Sequence, residues 1–120
     1  MSKIISIINQ NYGVGKTTTT INLSSALSEL DKKILIIDID PQASLTTNCG
    51  FQSKNIKLNL FDSFTRNINV KDIIIKRKFK NIDLIPSNIN LISAEIDLIY
   101  AKDREEFLKR TIKKIQHNYD

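Results

Sequence analysis

Residues 13 to 18, Gly13-Val14-Gly15-Lys16-Thr17-Thr18, decide how this chain is read. They follow the apolar run Ile4-Ile5-Ser6-Ile7-Ile8 and precede a stretch whose apolar residues recur at helical spacing, so they fall between a strand and a helix. A phosphate-binding loop belongs at that junction. Glycines let successive backbone N–H groups turn toward one anion, and a helix N-terminus adds positive potential. Lys16 brings a full charge, and the Thr17 hydroxyl is placed to complete a Mg²⁺ shell. The general pattern also asks for glycine five residues before the Gly-Lys pair, where this chain has Gln10.

Working outward, a second apolar run from Lys33 to Ile39 ends in Asp38-Ile39-Asp40-Pro41-Gln42. Parallel α/β sheets gather ligands outside the carboxyl ends of their strands, so two carboxylates are expected on the metal side of the loop. The pattern predicts strand 3–8, loop 9–15, helix 16–30 and strand 33–39. Helices over 58–65 and 70–75 come next, then a strand over 82–85 stopped by Pro86, then helices over 88–101 and 103–118. On the last helix Phe107, Leu108, Thr111, Ile112 and Ile115 form a stripe expected to face the core. Segments 49–57 and 76–81 read as loops. Alternating strands and helices imply a parallel three-layer α/β sheet.

With both motifs in hand, the chain resembles the ParA/Soj partition ATPases, a branch of the deviant phosphate-loop NTPases that includes MinD-like proteins. The likeness is colinear. It runs through Asn9-Gln10, Gly13 to Thr19, Asn22-Leu23, the Asp38 to Gln42 run and Leu84-Ile85-Pro86-Ser87-Asn88, then Arg104-Glu105, Leu108-Lys109 and Tyr119-Asp120. The resemblance implies ATP and Mg²⁺ as cofactors. Residues Gly13 to Thr18 would hold the nucleotide, with Lys16 on the β and γ phosphates and Thr18 helping at the α phosphate. Thr17 would ligate Mg²⁺, Asp38 would stand behind the metal, and Asp40 would orient the attacking water, the roles of the two acids being exchangeable from sequence alone. Chromosome or plasmid segregation is the implied process, in the cytoplasm, with homodimerisation and a ParB-like activator.

Two departures fall inside the loop. Family members carry Lys-Gly where this chain has Asn11-Tyr12. That lysine reaches a partner's phosphates in the family, as an arginine finger does elsewhere, a contribution of roughly 10³ to 10⁵ in rate. Asn11 brings no such charge, so hydrolysis is expected to be weak or absent. Tyr12 costs about 1 to 2 kcal/mol if its site needs positive φ, and nothing if it adopts an ordinary conformation and stacks on a neighbour. A third departure is one of extent. The family continues past Tyr119-Asp120 into the Walker B strand, so residues 1–120 are expected to form a single truncated domain of the phosphate-loop NTPase type. About three strands are expected in this incomplete sheet, with Ile4 to Ile8 left as an apolar edge.

Composition narrows the alternatives. No apolar run is long enough to span a bilayer, which points to no membrane partner. One cysteine, Cys49, and one histidine, His117, cannot build a metal cage or an intrachain disulfide. The net charge of +5 is compatible with weak nonspecific DNA binding, whereas the cluster Lys76-Arg77-Lys78-Phe79-Lys80 reads as a solvated loop, since a lone phenylalanine is no stacking platform. A dinucleotide fingerprint fails at Thr18, where its third glycine should be. Three functional readings remain open: an ATP-binding partition protein, a noncatalytic module pairing with a full-length relative, and a decayed or split reading frame.

Overall fold

Side chains of a strand point alternately to two faces, and in this chain each face has its own core. The computed structural model describes residues 1–76 and 80–120. In chain order come α1 (Lys16–Glu29), β1 (Ile34–Ile37), α2 (Ser44–Asn48), α3 (Asp62–Thr65), α4 (Val70–Ile73), β2 (Ile75–Lys76), β3 (Ile82–Ile85), α5 (Leu91–Ile99) and α6 (Arg104–Lys113). Short 3₁₀ turns occupy Ser53–Asn55 and Gln116–Asn118. β1 and β3 run parallel in a register from Ile34 opposite Ile82 to Ile37 opposite Ile85. On one face Leu35, Ile37 and Ile85 pack with Leu60, Val70, Ile73, Phe107 and Ile115. On the other, Ile34, Ile36, Ile82 and Leu84 meet Ile21, Leu45, Cys49 and Phe51. Leu84 at 0% exposure anchors this second core, and truncating a side chain so buried costs about 2–5 kcal/mol.

The three layers are as expected, but the sheet is mixed rather than wholly parallel. Its order is β1-β3-β2, and β2 runs antiparallel to β3. The helix expected over 70–75 ends at Ile73, Ile74 turns to extended geometry, and Ile75 pairs with Leu84 instead. Three consecutive β-branched isoleucines favour that switch. The helix expected over 58–65 shortens to α3. Asn59 starts a side-chain turn there, its Oδ1 accepting from Phe61 N at 2.9 Å and its Nδ2 donating to Asn88 Oδ1 at 2.9 Å. On α6 Phe107 and Thr111 are buried, as is Ile115 beyond it, whereas Leu108 is exposed. Most of the basic cluster lies outside the described residues, since Arg77, Lys78 and Phe79 are not among them.

The strand expected over residues 3–8 does not form. Ile4, Ile5 and Ile8 are 63%, 60% and 89% exposed, and the segment belongs to no sheet. Strand propensity needs a partner to supply the ladder, and this segment is not laid against β1. It is hydrogen-bonded into the structure at its start, and Ile7 is partly buried. Lys3 N donates to Asp120 O at 2.6 Å, Asp120 N donates to Lys33 O at 2.8 Å, and Lys33 N donates to an Asp120 carboxylate oxygen at 2.8 Å. Among the described residues β1 is therefore an edge strand, with β3 on one side and no strand on the other, and β2 is the edge at the opposite end of the sheet. A second apolar surface runs along α5, where Ile92, Ile96 and Ile99 are exposed, with Ile89 just before it and Tyr100 just after, while Leu91 and Ala94 face inward.

Candidate functional site

The loop before α1 turns through two glycines in left-handed geometry, Gly13 at φ +69° and Gly15 at φ +98°. A Cβ added at Gly13 would meet nothing within 4 Å, so the loop leaves an open cradle beside its backbone. Any side chain there would pay the left-handed penalty. α1 then begins with no acidic residue in its first turn, so the positive end of its dipole is not offset. The Thr19 amide donates to Gly15 O at 2.8 Å and the Thr20 hydroxyl to Lys16 O at 2.8 Å, which lock the first turn.

Lys16 folds back across the loop. Its Nζ donates to the carbonyls of Asn9 at 2.9 Å and Asn11 at 2.8 Å, and lies 5.8 Å from the centroid of the Tyr12 ring. Tyr12 itself is not among the non-glycine residues with positive φ, which in the described chain are Asp31, Ala43, Asn67 and Lys80. Of the two conformations open from sequence, Tyr12 therefore takes the ordinary one, and its stacking neighbour is Lys16.

From the end of β1, Asp38 and Asp40 come up on the same side as the loop. Lys16, Thr17, Asp38 and Asp40 line one cleft of about 110 Å³, joined by Thr20 and Ser44 and walled by Ile7 and Ile37. Val14 and Thr18 are exposed on the loop and first turn. Asp38 is 4% exposed. Its Oδ1 accepts from Asp40 N at 3.1 Å, and its Oδ2 accepts from Thr46 N at 2.9 Å and the Thr46 hydroxyl at 2.6 Å. Asp40 is partly exposed and uses Oδ1 to accept from Gln42 N at 2.9 Å. The sequence reading missed Thr46 and Ser87, which hold this turn from behind. For Ser87 two signals were visible, its place in the colinear run Leu84 to Asn88 and its position just past the carboxyl end of β3, where ligands of open sheets collect.

These residues suit a phosphate with a hard cation. An open glycine cradle, an ammonium, a helix N-terminus, the hydroxyls of Thr17, Thr20 and Ser44 and two carboxylates make an oxygen-rich donor set of the Mg²⁺ kind. The cleft is smaller than the roughly 300–1,000 Å³ of pockets that enclose whole ligands. It has room for phosphate and metal, not for an enclosed nucleotide. A larger open hollow of about 420 Å³ lies beside the amino ends of β1 and β3, lined by Lys33, Lys76, Asp83 and Tyr119, away from this chemistry.

A family model described as an AAA domain, AAA_31, matches residues 2–120. The sporulation initiation inhibitor protein Soj of Bacillus subtilis is 41% identical over 120 residues, which is 100% of this chain and 47% of that protein. Cobyrinic acid a,c-diamide synthase from Mycobacterium smegmatis, solved with bound ADP and magnesium, superposes with a TM-score of 0.94 at 29% identity. The match covers 100% of this chain and 49% of that one. A plasmid partition protein from Borrelia burgdorferi gives a TM-score of 0.83 at 31% identity, over 100% of this chain and 54% of that one. The chain spans about half the length of the curated relatives it matches. Matched along nearly all of its length, it belongs to the AAA_31 family of P-loop ATPase domains, together with ParA, Soj and MinD proteins.

Proposed function

We propose that this chain binds Mg²⁺·ATP through its phosphates, as a ParA/Soj-type module of chromosome or plasmid segregation in the cytoplasm, with hydrolysis weak or absent. One observation carries the reading. Lys16 and Thr17 at the acid-free start of α1, and Asp38 and Asp40 in the turn after β1 more than twenty positions further along the chain, line a single cleft.

When bound, Mg²⁺·ATP supplies an electrophilic γ-phosphoryl group. Around it, the backbone amides from Gly13 to Thr18 orient the phosphate oxygens and Lys16 neutralises their charge. The Thr17 hydroxyl offers a metal ligand. Asp38, with both oxygens already accepting hydrogen bonds, acts behind the metal rather than on it. Asp40 keeps Oδ2 without a hydrogen bond among the described residues, and that oxygen is the one to orient a water. Asn11 lacks the cation that would stabilise the developing charge, and this underlies the weak hydrolysis. Homodimerisation, a ParB-like activator and weak nonspecific DNA binding come with the family reading.

Equilibrium binding of a fluorescent ATP analogue to residues 1–120, with and without Mg²⁺, tests the proposal. Mg²⁺-dependent binding that falls at least about tenfold in Lys16→Ala, a charge-assisted contact of some 1.5–3 kcal/mol, is expected. A folded chain with no binding would sink it. The bare edge of β1 and the exposed Ile4, Ile5 and Ile8 favour a second reading, a noncatalytic module that pairs with a full-length relative by strand addition.

A further inference from the structure

Behind the two acids a closed ring of hydrogen bonds ties Asp38 and Asp40 to two side chains outside the cleft, Thr46 and Ser87. The Thr46 hydroxyl donates to Asp38 Oδ2 at 2.6 Å and accepts from Ser87 N at 2.9 Å. The Ser87 hydroxyl donates to the Asp40 carbonyl at 2.5 Å, and Asp40 N donates back to Asp38 Oδ1 at 3.1 Å. Thr46 and Ser87 are both 0% exposed. The Asp40 peptide is thus gripped at its N–H by Asp38 and at its carbonyl by Ser87, a residue 47 positions away on the far side of β3.

We infer that Thr46 and Ser87 are positioning residues, which hold the Asp38-Ile39-Asp40 turn so that the Asp40 carboxylate faces the cleft. Thr46 satisfies the buried Asp38 charge with two donors, and without them that carboxylate would have to find other partners and swing the turn with it. Ser87 makes the arrangement depend on the end of β3 and not on the turn alone. What the turn faces rests on the Mg²⁺·ATP reading above. The ring itself does not.

Two measurements on the chain separate them. Hydrogen exchange in the nucleotide-free protein reads the ring: Ser87→Ala and Thr46→Val are expected to speed exchange at the Asp40 amide at least about tenfold, while Leu84 in β3 stays protected. ATP-analogue binding reads the positioning. Both variants keep metal-free affinity within about twofold but lose about 10-fold of the Mg²⁺-dependent gain, the usual cost of removing a support behind a metal site. Thr46→Ser, which keeps the hydroxyl, restores both. Unchanged Asp40 exchange overturns the inference, and so does an equal loss of affinity with and without Mg²⁺, since that would mark a merely structural role. Fast Asp40 exchange in the variants, with no nucleotide binding by the unaltered chain, leaves the ring standing and sinks the ATP reading instead.

Discussion

Ala43 sits directly behind the acid-bearing turn, 1% exposed, with φ 52° and ψ 35° as the residue that starts α2. Left-handed geometry costs an alanine about 1–2 kcal/mol, and a β-branched side chain more. Ala43→Val is therefore expected to lower stability by about 2–4 kcal/mol, combining that strain with overpacking of a filled site. Urea unfolding checks it; a loss under 1 kcal/mol would mean that the turn relaxes to another conformation. Tyr12, the residue whose strain sequence could not decide, carries none. What sequence could show at this scale was chemistry already written into residue types, namely Lys16, Thr17, Asp38 and Asp40. Thr46 and Ser87 were illegible because a buried hydroxyl earns its role from partners 8 and 41 residues away.

Among the elements, α1, β1 and β3 were legible from local signals: the Gly-Lys-Thr start of α1, the unbroken apolar run of β1 ending before Asp38, and the run Ile82 to Ile85 of β3 stopped by Pro86. Residues 3–8 and 70–75 were misread for the same reason, since pattern fixes what a segment favours and pairing fixes what it becomes. β2 owes part of its place to charge. Lys76 pairs with Asp83 on β3, and the Tyr119 hydroxyl donates to the same Asp83 oxygen at 2.8 Å. Burial pushes the Tyr119 hydroxyl above its ordinary pKa of 10.0, with Asp83 adding to it, and the hydrogen bond to Asp83 raises Lys76 above 10.5. Both groups hold their protons longer folded than unfolded. Their contribution is thus fully present below the unfolded values and is lost as pH rises through the raised ones. The urea midpoint is expected to decline from about pH 10 upward, and Tyr119→Phe to flatten that decline. An equally steep fall in the variant would move the cause elsewhere. Lys76 is 73% exposed at its side chain, so its share is the smaller.

For the whole molecule, two cores on opposite faces of one small sheet explain how so short a β1 is held, with Leu35 and Ile37 gripped from one side and Ile34 and Ile36 from the other. Layering of this kind could be foreseen from alternating elements. Sheet order and the bare edge could not, because they depend on which strand finds which neighbour. The stripe along α5 has a colloidal consequence. Ile92 and Ile96 are 47% and 55% exposed, a surface that would draw copies together, while a net charge of +5 holds them apart. Screening shortens the reach of that repulsion from about 10 Å at 0.1 M salt to about 3 Å at 1 M, and it leaves the apolar attraction intact. Sedimentation should therefore show copies dispersed at low salt and associating at high salt, with Ile92→Gln combined with Ile96→Gln suppressing the effect; association that weakens with salt would rule this out. Dispersion of the chain then belongs to its ionic surroundings as much as to its surface, and a dilute buffer and a concentrated one would hold different populations of the same fold.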